Sequence, residues 1–225
     1  MSSPPAQLLR IEYRNAPSFL VAYSISFARG GVFVETRVDL PVGTPVEVQL
    51  AIPAGGLIDL RGTVTYQRTG ADEDGQPGLA LSLPNAAEML AQLVDRLAIE
   101  YGGMSIILLA GDTQDRTTLS RQLKSILTTA EVISATDAKL AEAVLDDDID
   151  LVVLDADHDL DASLETIKMA RDMPVPVPTV ALTSSRKAID RLLLLGADEV
   201  ANNPPAFAEL QQVLVRAMAR PRRVS

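Results

Sequence analysis

The hydrophobic pattern of this chain changes at Gly102-Gly103, and that change constrains the fold more than any other feature. Before the two glycines, apolar and polar residues alternate in short runs such as residues 46–51, which predicts half-buried antiparallel strands. After them, short apolar runs alternate with segments of helical period, which predicts a parallel sheet covered by helices. We therefore predict two closely joined domains, residues 1–101 and residues 104–225.

The first predicted domain is all-β apart from one helix. Turn signals separate its alternating runs, at Gly30-Gly31, Pro41-Val42-Gly43 and Pro53-Ala54-Gly55-Gly56. Several short strands at this spacing predict a small barrel or sandwich. After Pro84-Asn85 apolar residues recur with the helical period, so we expect a helix that lies against the barrel through Met89, Leu90, Leu93, Val94 and Leu97.

The second predicted domain alternates strands with helices. We expect strands at residues 106–110, 132–134, 151–154, 177–182 and 199–201, and helices at residues 116–127, 139–145, 164–171, 186–195 and 207–219. Five such units imply a doubly wound parallel sheet, with ligand chemistry at the carboxyl ends of the strands. The apolar run 151–154 leads directly into Asp155, which places a carboxylate at that edge.

Residue content excludes several classes of site. The 225-residue chain has no cysteine, which excludes disulfides, thiol catalysis and zinc–thiolate sites. Its one histidine, His158, leaves no Ser-His-Asp set and no histidine-based metal cluster, and we interpret it as a surface residue of a loop. Neither pair of adjacent glycines fits a P-loop or a dinucleotide-binding spacing. We therefore predict that the protein is not an enzyme.

The net charge of −10 predicts that the chain binds neither nucleic acid nor anionic membranes. Four arginines near the end of the sequence are the exception. We interpret them as complementing a helix dipole and fraying into solvent, the alternative being contact with an anion: Arg216, Arg220, Arg222 and Arg223. No apolar run approaches the ~18 residues of a membrane span. We expect a cytoplasmic protein without membrane insertion.

Residues 104–220 resemble the receiver domain of response regulators. The resemblance rests on segments in chain order, namely ILLAGD at 107–112, DLVVLD at 150–155, VALT at 180–183, LGADE at 195–199 and Asn203-Pro204. It implies a receiver-like or flavodoxin-like fold and phosphoryl transfer to an aspartate. Such chemistry uses acids that hold Mg²⁺, a lysine that neutralises the phosphoryl charge, and a Thr or Ser that senses the product. By position the resemblance implies Asp155 as the acceptor and Thr183 as the sensor.

Several positions depart from the receiver pattern. The acidic pair reads Gly111-Asp112 and the Lys-Pro step reads Asn203-Pro204, so one metal carboxylate and the fixed cation are missing. We interpret the domain as a pseudo-receiver with a vestigial acceptor, Asp155, and vestigial acidic and switch residues: Asp112, Thr183 and Asn203. No metal or cofactor is expected; any Mg²⁺ would be held by Asp112 and Asp155.

The loop after Asp155 is acidic where receivers usually carry Pro and Gly. It contains Asp157, Asp159 and Asp161. These carboxylates repel an incoming dianion unless a cation is present. They either rebuild a metal site or form a solvated loop, and we favour the solvated loop.

Residues 8 to about 100 resemble a PilZ domain, most closely the PilZ-like branch abundant in myxobacteria and related bacteria. The resemblance rests on LRIEYR at 9–14, FLVAY at 19–23, GGVFVET at 30–36, LPVGT at 40–44, LAIP at 50–53, GTV at 62–64 and GLAL at 78–81. It implies a six-stranded barrel with a C-terminal helix. PilZ domains typically bind cyclic di-GMP through RxxxR and [D/N]xSxxG motifs, whose guanidinium groups clamp phosphates.

Both nucleotide-binding motifs are altered. Arg10 and Arg14 fit RxxxR, but they lie within a predicted strand and not on a flexible arm. Ser26 and Ala28 replace the two polar residues of the second motif, whereas its glycine, Gly31, remains for backbone geometry. We therefore predict that cyclic di-GMP binding is lost.

These observations predict a non-enzymatic bacterial signalling adaptor that acts through protein–protein contacts. The resemblances imply regulation of motility, cell polarity or surface polysaccharide, and recruitment to a cell pole or motility complex. Two alternatives stay open: a phosphoacceptor response regulator that uses Asp155 with a PilZ output domain, and a cyclic di-GMP sensor. We expect other signalling proteins as partners, and a homodimer through residues 192–195 of the second domain.

Overall fold

The computed structural model describes residues 6–53, 55–69 and 76–225. The chain divides into two compact units, one of residues up to Tyr101 together with Ala219–Ser225, and one of Gly102–Met218. The boundary near Gly102-Gly103 agrees with the change of sequence pattern. The last seven residues differ from the predicted boundary of 104–225, because Ala219–Ser225 belongs to the first unit.

The described residues form eleven strands and seven α-helices. The strands are β1 (Gln7–Glu12), β2 (Gly31–Glu35), β3 (Pro45–Ile52), β4 (Gly56–Arg68), β5 (Gly78–Ser82), β6 (Met104–Leu109), β7 (Ala130–Ala135), β8 (Leu151–Asp155), β9 (Thr179–Leu182), β10 (Glu199–Ala201) and β11 (Arg223–Val224). The helices are α1 (Ala16–Ile25), α2 (Ala86–Glu100), α3 (Thr113–Ile126), α4 (Ala138–Val144), α5 (Leu160–Asp172), α6 (Arg186–Leu195) and α7 (Phe207–Ala219).

The sheet of the first unit is mixed. Its six strands follow the order β11-β1-β3-β4-β5-β2. The strands pair antiparallel except β1 and β3, which are parallel, so the expectation of purely antiparallel strands is wrong at that pair. The predicted six-stranded barrel is not confirmed, because this sheet is a mixed half-barrel in which β11 and β2 are the two edges.

Helix α1 was not predicted, and it makes the first unit more than an all-β domain. Asn15 begins the helix, since its side-chain oxygen accepts a hydrogen bond from the backbone amide of Ser18 at 2.9 Å. The helix buries Phe19 against Tyr13 and Phe27, with ring centroids 5.6 Å and 6.2 Å away. The run FLVAY has no polar face, so its sequence shows no helical period.

Helix α2 lies where the sequence predicts it. Leu90, Leu93 and Leu97 are buried in the same apolar core as the strands of the first sheet, which confirms that the helix packs on the sheet. Met89, predicted to join this stripe, is 51% exposed. The buried stripe is therefore narrower than the sequence pattern suggests.

The second unit contains the predicted doubly wound sheet. Its five strands are all parallel and follow the order β10-β9-β8-β6-β7, which in chain order is 2-1-3-4-5. This is the flavodoxin-like order. Strand β8 is central, and each of its five residues is buried because the strand has a neighbour on both sides and packed elements on both faces.

The end of the chain pairs with the first sheet. Backbone hydrogen bonds join Arg10 to Ser225 in both directions, at 2.7 Å and 3.0 Å, and Arg222 donates to the carbonyl of Glu12 at 2.7 Å. A guanidinium nitrogen of Arg220 lies 3.3 Å from the carboxylate of Glu35. The interpretation of a tail that frays into solvent is therefore wrong. The tail is ordered because β1 would otherwise be an edge strand with unpaired backbone groups, and β11 pairs with those groups.

Among the helices of the described ranges, none combines the length and the apolar character that a transmembrane segment requires.

Candidate functional site at the carboxyl edge of the parallel sheet

Asp155 ends the central strand of the parallel sheet and is 4% exposed. In a parallel sheet the carboxyl ends of all strands lie at one edge, so the residues that follow β6, β9 and β10 can meet it. The predicted residues Asp112, Thr183 and Asn203 lie within three residues of the ends of those three strands. The topology alone therefore brings the four predicted residues to one edge.

Asp155 accepts hydrogen bonds from neutral donors. Its Oδ1 accepts from the side-chain amide of Asn203 at 2.8 Å and from the backbone amide of Asp157 at 3.2 Å. Burial raises the pKa of Asp155 above its usual range, with smaller contributions in the same direction from the charges of Asp115 and Asp157. The carboxylate thus lies in a setting that disfavours its charged form.

The sequence analysis missed Asp157 as a residue of this site. Its Oδ1 accepts from the hydroxyl of Thr183 at 2.6 Å, and its Oδ2 accepts from the backbone amide of Ser184 at 2.9 Å. Desolvation would raise the pKa of Asp157, but the hydrogen bonds from Thr183, Ser184 and Asn203 outweigh it, and the pKa lies below its usual range. The sensor hydroxyl of the predicted site is therefore bonded to an ionised side chain of the same chain.

Asp112 acts as the N-cap of α3. Its Oδ1 accepts from the backbone amides of Gln114 at 2.7 Å and Asp115 at 3.1 Å, and these two bonds hold its pKa below the usual range. Next to it, a Cβ atom at Gly111 would overlap the imidazole ring of His158. The structure has His158 as an exposed residue of a loop, as predicted, and its ring also occupies the space of a side chain at position 111.

The other loop acids point to separate partners. Asp159 caps α5 by accepting from the backbone amide of Ala162 at 2.9 Å, and Asp161 lies 3.7 Å from a guanidinium nitrogen of Arg191. Across residues 6–53, 55–69 and 76–225, no group of three or more His, Cys, Asp or Glu side chains could hold a metal ion. Magnesium prefers a close shell of oxygen ligands, whereas the described carboxylate oxygens of Asp112 and Asp155 accept hydrogen bonds from protein donors.

The candidate nucleotide residues of the first unit have structural roles. Arg10 lies on β1, where its backbone pairs with Ser225 and its Nε lies 2.9 Å from the carboxylate of Glu12. Arg14 is 9% exposed, just beyond the end of β1. Both arginines are thus attached to the sheet and not to a separate arm.

The residues of the second nucleotide motif lie around a turn. Ser26 ends α1 and begins the 3-10 turn Phe27–Arg29, which contains Ala28. Gly30 follows with φ of 76°, a left-handed conformation that favours glycine. Ser26 and Gly31 line one groove with Arg29, but Arg10 and Arg14 are not among its described lining residues. The residues of the two motifs therefore do not line this groove together.

Comparisons with known proteins concern the second unit. No family model and no curated protein matches the chain. The chain is similar to the receiver domain of a sensor histidine kinase from Pseudomonas aeruginosa, solved with a magnesium ion in its active site cleft, with 23% identity over 52% of this chain and 98% of that chain, and a TM-score of 0.45.

Two further receiver domains are similar at the same level. One belongs to a DNA-binding response regulator from Colwellia psychrerythraea, with 19% identity over 49% of this chain and 94% of that chain, and a TM-score of 0.45. The other belongs to a response regulator of Saccharomyces cerevisiae, crystallised with its histidine phosphotransfer protein, with 18% identity over 50% of this chain and 86% of that chain, and a TM-score of 0.43. Each match thus covers about half of this chain, and the flavodoxin-like fold of the second unit rests on its own strand order.

Proposed function

We propose that this chain is a non-enzymatic signalling adaptor that acts through protein–protein contacts, without cyclic di-GMP binding and without switching by phosphorylation of Asp155. One observation carries the proposal: the residues at the sheet edge are hydrogen-bonded to one another. Asp155 is bonded to the amide of Asn203, and Thr183 is bonded to Asp157.

Electrostatics at the sheet edge argues against phosphoryl transfer to Asp155. A phosphoryl group brings negative charge, and the side chain on Asp155 is the neutral amide of Asn203. Asp157, whose pKa is lowered by its hydroxyl and amide donors, adds a negative charge beside the acceptor. Losing one preorganised donor from a site where charge develops slows a reaction by roughly 10²–10³. A site with an added anion and a neutral donor is therefore a poor phosphoacceptor.

The first unit supports the absence of a nucleotide response. Binding through RxxxR requires two guanidinium groups that reach the phosphates of one ligand. Arg10 is paired with Glu12 on a strand with neighbours on both sides, and Arg14 is buried. Neither arginine is on a mobile arm that can close over a ligand.

Protein partners are the remaining means of action, and other signalling proteins fit a receiver-like unit best. Helix α6 offers one candidate contact, because Leu193 is 48% exposed and Leu194 is 88% exposed. We propose this helix as the surface of a homodimer or of a partner complex in a motility, polarity or polysaccharide pathway, with recruitment to a cell pole. Exposure of these leucine side chains to water is unfavourable in free energy, and burial against a partner would remove that unfavourable contribution.

A phosphoacceptor response regulator is the second candidate. Asp155 and Thr183, the two residues that the receiver resemblance assigns to acceptor and sensor, both lie at the sheet edge. That arrangement favours a phosphoswitch only if Asp157 moves away from Thr183 when a phosphoryl group arrives.

Beryllofluoride, which mimics an aspartyl phosphate, separates the two candidates. The proposal predicts that beryllofluoride with Mg²⁺ leaves the amide NMR spectrum of the chain unchanged, and that the chain and its Asp155→Asn variant respond alike. Saturable shifts at Asp155, Thr183 and α6, absent from the Asp155→Asn variant, would establish the phosphoswitch and overturn the proposal.

A further inference from the structure

The carboxylate of Asp157 joins the loops that follow two neighbouring strands, beside a third loop that holds Asn203. Asp157 itself lies after β8, Thr183 and Ser184 lie after β9, and Asn203 lies after β10. The Thr183 hydroxyl donates to it at 2.6 Å, and the Ser184 amide donates at 2.9 Å. The side-chain amide of Asn203 donates instead to the neighbouring Asp155 at 2.8 Å. Two donor residues of the loop after β9 therefore bind the carboxylate of a residue in the loop after β8.

The same contacts continue into helix α6. Thr183 is 1% exposed, and its Oγ1 also accepts from the backbone amide of Ser185 at 3.1 Å. Ser185 is the N-cap residue of α6, and its carbonyl accepts from the amides of Ala188 at 3.0 Å and Ile189 at 3.2 Å. A chain of hydrogen bonds thus runs from Asp157 through Thr183 to the first turn of α6.

The neighbouring acids serve as a comparison. Asp159 accepts from an amide of its own helix, three residues along the chain, and Asp161 only approaches an exposed arginine. Asp157 instead bonds residues 26 and 27 positions away. Bonds within one turn cap a helix, whereas bonds over this separation hold two loops together.

We propose that the hydroxyl of Thr183 and the backbone amide of Ser184 form an oxyanion pocket, and that Asp157 is a positioning residue whose carboxylate fills this pocket as a permanent internal ligand. The pocket holds the loop before α6 in one arrangement without an external phosphoryl group. The inference rests on the proposed function, since it assigns the regulation of a site that phosphorylation does not switch. Asp157 is solvent-exposed, so a small carboxylate can reach the pocket once the side chain is removed.

Chemical rescue of the full chain tests the pocket. In Asp157→Ala we expect the amides of Ser184 and Ser185 to shift and to exchange with solvent faster, by roughly tenfold or more for Ser184, the size expected when a hydrogen bond to a charged acceptor is lost. Sodium acetate should then restore both signals in a saturable titration, whereas sodium chloride at equal ionic strength should not. Unchanged amides in Asp157→Ala, or equal effects of the two salts, would overturn the inference.

Two variants control for indirect effects. Asp159→Ala removes an acid of the same loop that caps α5, so the Ser184 and Ser185 amides should keep their wild-type shifts and acetate should have no effect on them. Asp157→Asn retains the shape of the side chain without its charge, so Ser184 should exchange faster than in wild type while acetate, facing a filled pocket, has no effect. Acetate rescue in either control would contradict the assignment.

The outcomes separate the inference from the proposed function. A beryllofluoride response of the wild-type chain would overturn the proposed function. It would not decide whether the oxyanion pocket exists, which the acetate titration of Asp157→Ala tests separately. A missing acetate response in Asp157→Ala would overturn the oxyanion pocket. It would not affect the proposal that Asp155 is not switched by phosphorylation.

Discussion

Arg10 on β1 and Asp155 on β8 belong to motifs that both imply a phosphate-bearing ligand, but the two regions differ in how the fold uses those motifs. In the first unit the motif residues are dispersed over a strand, a helix end and a turn. In the second unit they converge at one sheet edge, where Asn203 bonds to Asp155 and Thr183 bonds to the neighbouring Asp157.

Under the proposed function, the difference teaches that a binding motif can lose its ligand in two ways. Parallel strands force their carboxyl ends together, so the sheet edge keeps its geometry even after the chemistry has changed. The mixed sheet of the first unit exerts no such constraint on Arg10 and Ser26. Its motif residues are free to take structural roles, and Arg10 now forms part of the pairing with β11.

Removal of residues 221–225 should have the largest effect. It deletes β11 and the three backbone hydrogen bonds described between the tail and β1. At about 0.5–1.5 kcal/mol for each bond, the first unit should lose roughly 2–4 kcal/mol of stability. Exchange of the Arg10 amide, which donates to the carbonyl of Ser225, measures the effect directly.

Arg223→Ala is the matched control for the deletion, since it leaves the backbone of β11 intact. Its β1 amides should exchange as in wild type. If the deletion also left these amides unchanged, the bonds to the tail would not protect β1. The account of Arg10 as a residue held on the sheet by β11 would then be wrong.

Gly111→Ala should have the next largest effect, because the new Cβ would overlap the ring of His158. His158 is exposed and its ring can turn away, so the cost should be about 1 kcal/mol, the low end of what overpacking costs in a closed core. In combination with His158→Ala the cost should be smaller than the sum of the two single changes, a coupling that a double-mutant cycle in chemical denaturation measures.

Gly102→Ala provides the control for the glycine substitution, since a Cβ there meets nothing within 4 Å. It should change stability by much less than Gly111→Ala. Additive costs for Gly111→Ala and His158→Ala would instead mean that the ring does not occupy the space at position 111.

The two aspartates of the sheet edge should respond to pH with opposite signs. The pKa of Asp157 is lowered in the folded protein, so its contribution to stability is present above the unfolded pKa of about 3.9 and is lost as pH falls through the lower folded value. Asp157→Asn should therefore destabilise the protein at neutral pH, by about 1 kcal/mol or less for an exposed group, and the difference should vanish in acid.

Asp155 has a raised pKa, so its charged form costs stability at neutral pH and the cost disappears as pH falls through the folded value. Asp155→Asn should leave stability at neutral pH unchanged or slightly higher. Unfolding curves of both variants across acidic and neutral pH check the pair, and equal behaviour of the two would contradict the electrostatic account of the site.

The smallest expected effect is that of adding cyclic di-GMP, which the chain should not bind. Calorimetric titration of the chain with cyclic di-GMP should give no saturable heat, and Arg10→Ala and Arg14→Ala should behave as wild type. Micromolar or tighter binding that either substitution abolishes would place a working site in the first unit.

The strands and helices of the second unit could be read from the sequence because their signals are local. The apolar run 151–154 predicts β8, and helices α6 and α7 begin and end at the predicted residues. Helix α1 could not be read, since the apolar run at its centre has no polar side. Strand β11 could not be read either, because it has two residues and depends on a partner strand more than two hundred positions away.

The candidate site was predictable in position but not in its bonds. Asp155, Thr183 and Asn203 follow strands whose ends must meet, so their proximity follows from the strand pattern. The partner of Thr183 is 26 positions away, and three acids of the same loop could have reached it equally well on sequence grounds. The fit of His158 to Gly111 similarly depends on two loops that only the folded sheet brings together.

The central claim is that Asp155 is not a phosphoacceptor, and intact-mass spectrometry after incubation with acetyl phosphate and Mg²⁺ tests it most directly. A response regulator that is phosphorylated under the same conditions serves as the positive control. The account predicts that the mass of the full chain stays unchanged. A gain of one phosphoryl group that Asp155→Asn abolishes would contradict it and would identify the chain as a working response regulator.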